Sequence, residues 1–364
     1  MTVQRSLIAP TAHPRLEEAL QQKLQRRSRT AGSLGELEPL AIRLGLIQNS
    51  LKPQLRSPQL ILFCGDHGLV VDGLSPRGGE TTADVVNEVL QGRLPLSVFA
   101  FQQGLNLTLV DAGLSQSMNP HPSLLPRKIA HGTRNARTSG AMTLDQAHAA
   151  IRAGMEISDN LTGNVLACAG VGIGSHESAA LVISRLAEVP VRELVQTENQ
   201  ELLAQLMVVL QGAQGRHRDV IDPVEVLAAF GGFEIATMVG AMLVAASKRH
   251  LIMVDGMSAC AALLVAARIA PPVTDYCVFC RSSSHVGLDR AMAVFRATAL
   301  LELGMESIDG TGVCLAWPLV NSAAALLSQV AEGEDSGFSV PSGPDAPGPS
   351  VELPTAQFGG GRRN

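Results

Sequence analysis

An α/β fold built on a parallel sheet wrapped by helices is predicted by three observations. Short β-branched and apolar runs recur along the chain, several end directly in Gly or Asp, and alanine-rich helical stretches separate them. The candidate strands cover residues 60–64, 105–110, 165–168, 251–254 and 276–279. Four of them run into polar or glycine loops: Gly65-Asp66-His67-Gly68, Asp111-Ala112-Gly113, residues 169–174, and Asp255-Gly256. Ligand-binding groups in such sheets gather where the strands end. Helix starts are equally legible: Thr143 with Gln146 forms a capping box, and Asp222-Pro223 sets a cap before a proline at the first helical position. Ala/Gly-rich faces over 228–246 and 259–267 call for close helix-on-sheet packing, and a further helix continues through 176–187.

The 364 residues are 46% apolar and 17% charged, with a net charge of −5, nine Phe, one Tyr and one Trp. An acidic chain whose lysines are Lys23, Lys52, Lys128 and Lys248 has no electrostatic footprint for nucleic acid or an anionic membrane. Its core must be aliphatic and alanine-rich. The first 16 residues carry Arg5, Pro10, His13 and Pro14 and no continuous apolar run, so they do not read as a secretory signal, and a cytoplasmic location is expected. The uncharged stretch 310–331 approaches spanning length but contains Pro318, Asn321 and Ser322, which fits a buried helix behind a glycine loop better than a membrane span. Cys277 and Cys280 form one CxxC with no second pair, in a strand-like setting that argues against zinc or redox chemistry. From residue 333 to 364 the composition turns to Gly, Pro, Ser and Asp, the signature of a disordered tail.

Four motifs carry the candidate chemistry. Gly170-Val171-Gly172-Ile173-Gly174-Ser175 joins a strand to a helix, where bare backbone and a helix amino terminus suit a phosphate, although a tight turn without a ligand has the same pattern. Asp309-Gly310-Thr311-Gly312 again precedes a helix and adds a carboxylate. If it faces the first loop across the carboxyl edge of the sheet, the two enclose a phosphorylated ligand; alternatively Asp309 simply caps the helix. Asp66 and His67 form either an acid/base pair or, by preference, a structural turn in which Asp66 bonds to backbone. The loop from Arg281 to Ser284, with His285 and Gly287 beyond it, offers hydroxyls and backbone for a phosphate or ribose. His176 and Glu177 stand in the first turn after the glycine loop, where a solvent-facing side chain is the default.

Taken in order, Gly32-Ser33-Leu34-Gly35-Glu36-Leu37-Glu38, Gly65-Asp66-His67-Gly68, Gly132-Thr133-Arg134-Asn135 with Ala141-Met142-Thr143, the 170–174 loop, Gly231-Gly232-Phe233-Glu234-Ile235-Ala236, Asp255-Gly256, and Asp309-Gly310-Thr311-Gly312 with Pro318-Leu319 resemble the nicotinate-nucleotide:dimethylbenzimidazole phosphoribosyltransferase family, from about residue 15 to 330. The resemblance implies a Rossmann-like sheet, with a large part over about 58–300 and a small helical part made from both chain ends, together forming one unit over 1–332. It implies a homodimer, or a heterodimer with a relative, that moves phosphoribosyl from nicotinate mononucleotide to a benzimidazole-type base in cobalamin biosynthesis, with no cofactor and no metal. Gly172, Gly174, Ser175, Ser283, Gly287, Gly310, Thr311 and Gly312 then fall on the nucleotide side, and Ser75 and Ala83 beside the acceptor. His176, Glu177, Asp66 and His67 are accessory candidates.

The chain departs from the family pattern at the catalytic position, where Asp309 replaces a glutamate and withdraws the carboxylate by about 1.5 Å. Gly170 stands where the pattern has another glutamate, Ala83 where it has a glutamine, and no lysine occurs between Lys128 and Lys248, where the family has one. These departures leave open an altered acceptor, or a non-catalytic nucleotide-binding relative that partners an active chain. A nicotinamide-dinucleotide oxidoreductase is the third reading, suggested by the GxGxG alone.

Overall fold

The computed structural model describes residues 8–26, 32–72, 80–197 and 199–330. Ser75 and the 333–364 tail lie outside the described residues. Six strands form one sheet: β1 (Gln59–Gly65), β2 (Asn106–Gly113), β3 (Leu124–Pro126), β4 (Val165–Val171), β5 (Leu251–Asp255) and β6 (Cys277–Cys280). All pairings are parallel and the spatial order is β3-β2-β1-β4-β5-β6. The chain therefore winds outward in two directions from the β1/β4 junction, where loops leaving neighbouring strands diverge to opposite faces and open a crevice at the carboxyl edge.

The five expected strands are present, but β4 runs on through Ala169-Gly170-Val171 into the expected glycine loop, and β2 and β3 differ as well. β2 runs on through Asp111-Ala112-Gly113, which the sequence places in a loop, because these residues are buried and continue to pair with β1 across a register shift after Cys64. β3 has no counterpart in the sequence reading; three residues at a sheet edge leave no periodicity to detect.

Helices α1 (Pro14–Gln25) and α2 (Leu37–Gln48) precede the sheet, and α3 (Thr82–Leu90) and α4 (Pro95–Gln102) link β1 to β2. The connection from β3 to β4 carries α5 (Leu144–Asp159), which starts in the expected capping box between Thr143 and Gln146. After β4 come α6 (Ser175–Ala187), α7 (Gln200–Arg216), α8 (Pro223–Phe230) and α9 (Phe233–Ser247), and Asp222 caps α8 through the Val224 and Glu225 amides. The apolar stretch 228–246 is thus two helices rather than one, since Gly231 ends α8 and Gly232 caps α9 with extended backbone. α10 (Met257–Ile269) follows β5, α11 (Val286–Val294) follows β6, and α12 (Thr311–Ser328) closes the described chain, packing on α2, α4 and α1.

The core is aliphatic and alanine-rich throughout. α5 and α9 meet almost backbone to backbone: a Cβ at Gly154 would fall 1.8 Å from the Thr237 carbonyl oxygen, and one at Gly240 would fall 1.9 Å from that of Ile151. Among the described residues α12 is the helix long and apolar enough to cross a membrane, yet 61% of it is buried within the fold. All six cysteines are free and buried, Cys277 and Cys280 within β6, and burial pushes their thiols up. Such thiols do not ionise at neutral pH.

Candidate active site

The loop after β1 is held by Asp66. Its carboxylate accepts the Thr82 hydroxyl through one oxygen and, through the other, the amide and the hydroxyl of Ser115, both of these at 2.7 Å. Thr82 in turn accepts the Ile173 amide at 3.0 Å, which ties the β1 loop to the glycine turn after β4. Asp66 is a structural tie, in line with the turn reading of this motif. Ala83, buried beside Thr82 in the first turn of α3, presents only a methyl group.

The glycine turn is packed against protein on its inner side. A Cβ at Gly172 would lie 1.8 Å from the Gly65 carbonyl oxygen, and Gly174, with φ +83°, caps α6 beside the Cβ of His67. Ser175, the first residue of α6, turns its hydroxyl inward to Glu234 Oε1 at 3.0 Å and to Ser258 Oγ at 2.6 Å. His67 Nε2 reaches the same Glu234 oxygen at 2.8 Å, so that nitrogen carries the proton. Burial disfavours charge on His67, but Glu234, Asp66 and Glu177 together outweigh it and raise its pKa.

His176 does not face solvent as expected. It is half-buried and meets the His285 ring edge to face, with centroids 5.3 Å apart, because the β6–α11 loop folds over the first turn of α6. Burial holds both imidazoles below their ordinary range, His285 at about 4, with His176 adding to the shift there. Glu177 is likewise half-buried and pushed up by burial, partly countered by His67 and His285.

A second set of contacts joins the ends of β5 and β6 to α12. Asp255, fully buried, accepts the Ser282 hydroxyl at 2.6 Å and the Gly310 amide at 2.9 Å, while the Gly312 amide donates to Ser282 Oγ at 2.7 Å. The other Asp255 oxygen, Oδ1, has no partner. Asp309 lies against the bare α-carbon of Gly256, whose Cβ would fall 1.8 Å from Asp309 Oδ2. Burial first and the neighbouring Asp255 second raise the Asp309 pKa well above the carboxylate range. The cap of α12 is Gly310, left-handed at φ +97°, and not Asp309, so the capping alternative for that carboxylate does not hold.

The 309–312 loop lies against the end of β4, which leads into the other glycine loop: a Cβ at Gly310 would sit 3.3 Å from that of Ala169, and one at Gly170, also in β4, would sit 2.8 Å from that of Ser258 in α10. Several candidate residues serve packing. A Cβ at Gly287 would collide with the Leu194 carbonyl oxygen, and one at Gly312 with that of Arg281. Thr311 bonds inward to the Ile308 carbonyl and Ser307, and Ser283 gives its carbonyl to Arg281. Arg281 also pairs with Asp289 and Glu302. Lys128 is held by Asp111 and the Leu114 and Gln116 carbonyls.

Glu234 and Ser258 carry hydrogen bonds of the site, yet no sequence argument assigned them a role, and Ser282, expected in a hydroxyl loop for phosphate or ribose, spends its hydroxyl on Asp255 and the Gly312 amide. The available signal was Gly232, two residues ahead of Glu234, a bare position that makes room for its carboxylate. Among the described residues no group of three or more His, Cys, Asp or Glu side chains is arranged to hold a metal ion.

A family model described as Phosphoribosyltransferase matches residues 9–338. A nicotinate-nucleotide–dimethylbenzimidazole phosphoribosyltransferase of Cupriavidus taiwanensis is 42% identical over 339 residues, which cover 90% of this chain and 98% of that protein. The chain belongs to the nicotinate-nucleotide–dimethylbenzimidazole phosphoribosyltransferase family. A member of the family from Dechloromonas aromatica is 40% identical over 337 residues, covering 89% of this chain and 96% of its own. The crystal structure of a Thermus thermophilus member superimposes with a TM-score of 0.83 at 28% identity, covering 90% of this chain and 99% of that one. The family match thus spans both glycine loops, Glu234 and Asp309.

Proposed function

We propose that the protein transfers phosphoribosyl from nicotinate mononucleotide to dimethylbenzimidazole, releasing nicotinate and forming α-ribazole phosphate, with Asp309 as the general base. One observation carries this reading: a buried carboxylate of raised proton affinity stands where two glycine loops converge at the carboxyl edge of the sheet. The amino terminus of α6 opens on that edge, where a helix start suits a phosphate, while the first amides of α12 are taken by Asp255, Ile308 and Ser282. Cleavage of the C1′–N bond sends its electron pair to the pyridinium nitrogen, so nicotinate leaves as a neutral ring. The acceptor nitrogen closes on C1′ from the opposite side. Its second ring nitrogen loses a proton to Asp309, whose proton affinity is raised by burial and by Asp255.

The names of the relatives support dimethylbenzimidazole as the acceptor and lend no weight to an altered acceptor, a non-catalytic partner subunit or a dinucleotide oxidoreductase. In this reading α1, α2 and α12 make up the small helical part, the enzyme is a cytoplasmic homodimer, and Gly172, Gly174, Gly310 and Gly312 face the nucleotide through their backbone. Incubating the purified chain with nicotinate mononucleotide and dimethylbenzimidazole should release nicotinate and yield a product with the mass of α-ribazole phosphate. Nucleotide binding by calorimetry without nicotinate release would sink the reading.

A further inference from the structure

One oxygen atom organises the floor of the glycine turn. Glu234 sits in the first turn of α9, fully buried, and its Oε1 receives His67 Nε2 from the β1 loop and the Ser175 hydroxyl from the first turn of α6. With Ser175 donating to Glu234, the 2.6 Å contact between Ser175 and Ser258 must run from Ser258 as donor, which brings in the first turn of α10. Four elements therefore converge on a single carboxylate. Its second oxygen, Oε2, is buried without a partner and fills the space over Gly65 and Gly232, where added Cβ atoms would fall 2.5 and 2.2 Å away. Both residues hung on Oε1 touch the turn directly: Ser175 continues it, and the Cβ of His67 lies 3.0 Å from where a Gly174 Cβ would be.

We propose that Glu234 is the positioning residue of the donor site, fixing the 172–175 turn so that the start of α6 behind it is preorganised for the phosphate of a mononucleotide. This rests on the proposed function for the identity of the donor. Nothing in the arrangement brings Glu234 itself to the reacting atoms. A side chain that acts through the turn affects donor binding selectively, whereas one that merely supports the fold affects both substrates and thermal stability together.

The test compares Glu234→Ala, which removes the anchor, with Glu234→Gln, which keeps its shape and one acceptor oxygen. Calorimetry with nicotinate mononucleotide and steady-state KM values for both substrates are the readouts. Glu234→Ala is expected to weaken the mononucleotide at least tenfold with the acceptor KM within about twofold, and Glu234→Gln to recover most of the loss. In Glu234→Gln the His67 imidazole, followed by NMR, should titrate at a lower pH than in the wild type. Unchanged mononucleotide affinity, or a parallel rise in both KM values, overturns the proposal. Should Glu234→Ala fail to fold, Ser175→Ala severs one arm at little change of volume and must weaken the mononucleotide at least threefold for the proposal to stand. Wild-type protein that binds the mononucleotide but releases no nicotinate removes the proposed function and leaves this proposal standing; wild-type protein that binds neither the mononucleotide nor inorganic phosphate overturns both.

Discussion

At Asp309 a carboxylate meets an unusual neighbourhood. The carboxylate is buried, rests on the α-carbon of Gly256, and faces Asp255, whose Oδ1 lacks a donor. Two like charges so placed do not ionise together, and the first proton is held tightly. Asp309→Asn should abolish turnover, by about a hundredfold or more, while calorimetry still registers mononucleotide binding; unchanged turnover would remove Asp309 from the mechanism. The same shift has a sign for stability. A carboxyl whose folded pKa is raised binds its proton more tightly in the native state, so native stability is greatest while it is protonated and falls as pH rises through the folded value. The gain in melting temperature of Asp309→Asn over the wild type should therefore grow between pH 5 and pH 9, reaching about 2 °C or more at the upper end; a constant difference across that range would contradict the raised pKa. The candidacy of Asp309 was legible in its glycine-rich setting, but its partner was not, since Asp255 stands 54 positions earlier in the chain and only the sheet brings the two together.

Among the elements, the turns show which glycines the fold requires. Gly172 lets the β4 turn approach the Gly65 carbonyl, and a methyl group there has nowhere to go. Gly172→Ala is expected to destabilise by about 1–3 kcal/mol and to impair mononucleotide binding, measured by urea unfolding and calorimetry. Gly215, near the end of α7, has open space around it and no left-handed backbone. There the same substitution removes only the entropic handicap of glycine in a helix, so Gly215→Ala should stabilise by about 0.5–1 kcal/mol. The pair of results separates contact from conformation. Sequence reading found both glycine loops and the helix behind each, because strand-to-helix turns announce themselves in residue type. It did not reveal that Gly172, Gly287 and Gly312 face carbonyl oxygens of their own fold, since a bare position looks alike whether a ligand or a backbone approaches it. The helix break at Gly231-Gly232 was missed for a related reason: apolar periodicity continues across it, and the break exists to seat the carboxylate of Glu234.

For the molecule as a whole, alternation of apolar runs and alanine-rich helices was enough to establish the parallel sheet, and the ends of its strands marked the edge that carries the site. What the pattern lacked was the spatial order, which sets β1 beside β4 and so brings His67 to Glu234, 167 residues further on. Aliphatic packing on both faces of the sheet also encloses every cysteine. The native protein should leave all six thiols unreactive toward an aromatic disulfide reagent and yield six only after denaturation; fast labelling of any one of them in the native state would show that its element opens. The position of the 309–312 loop in the chain carries one more consequence. It follows all six strands and belongs to a helix that docks against α2 and α4, elements from the opposite end of the sequence. During synthesis the ribosome delivers every described strand before Asp309, so the carboxyl edge is assembled only once the last described helix has emerged and docked, and an unfinished chain lacks the carboxylate proposed as its base.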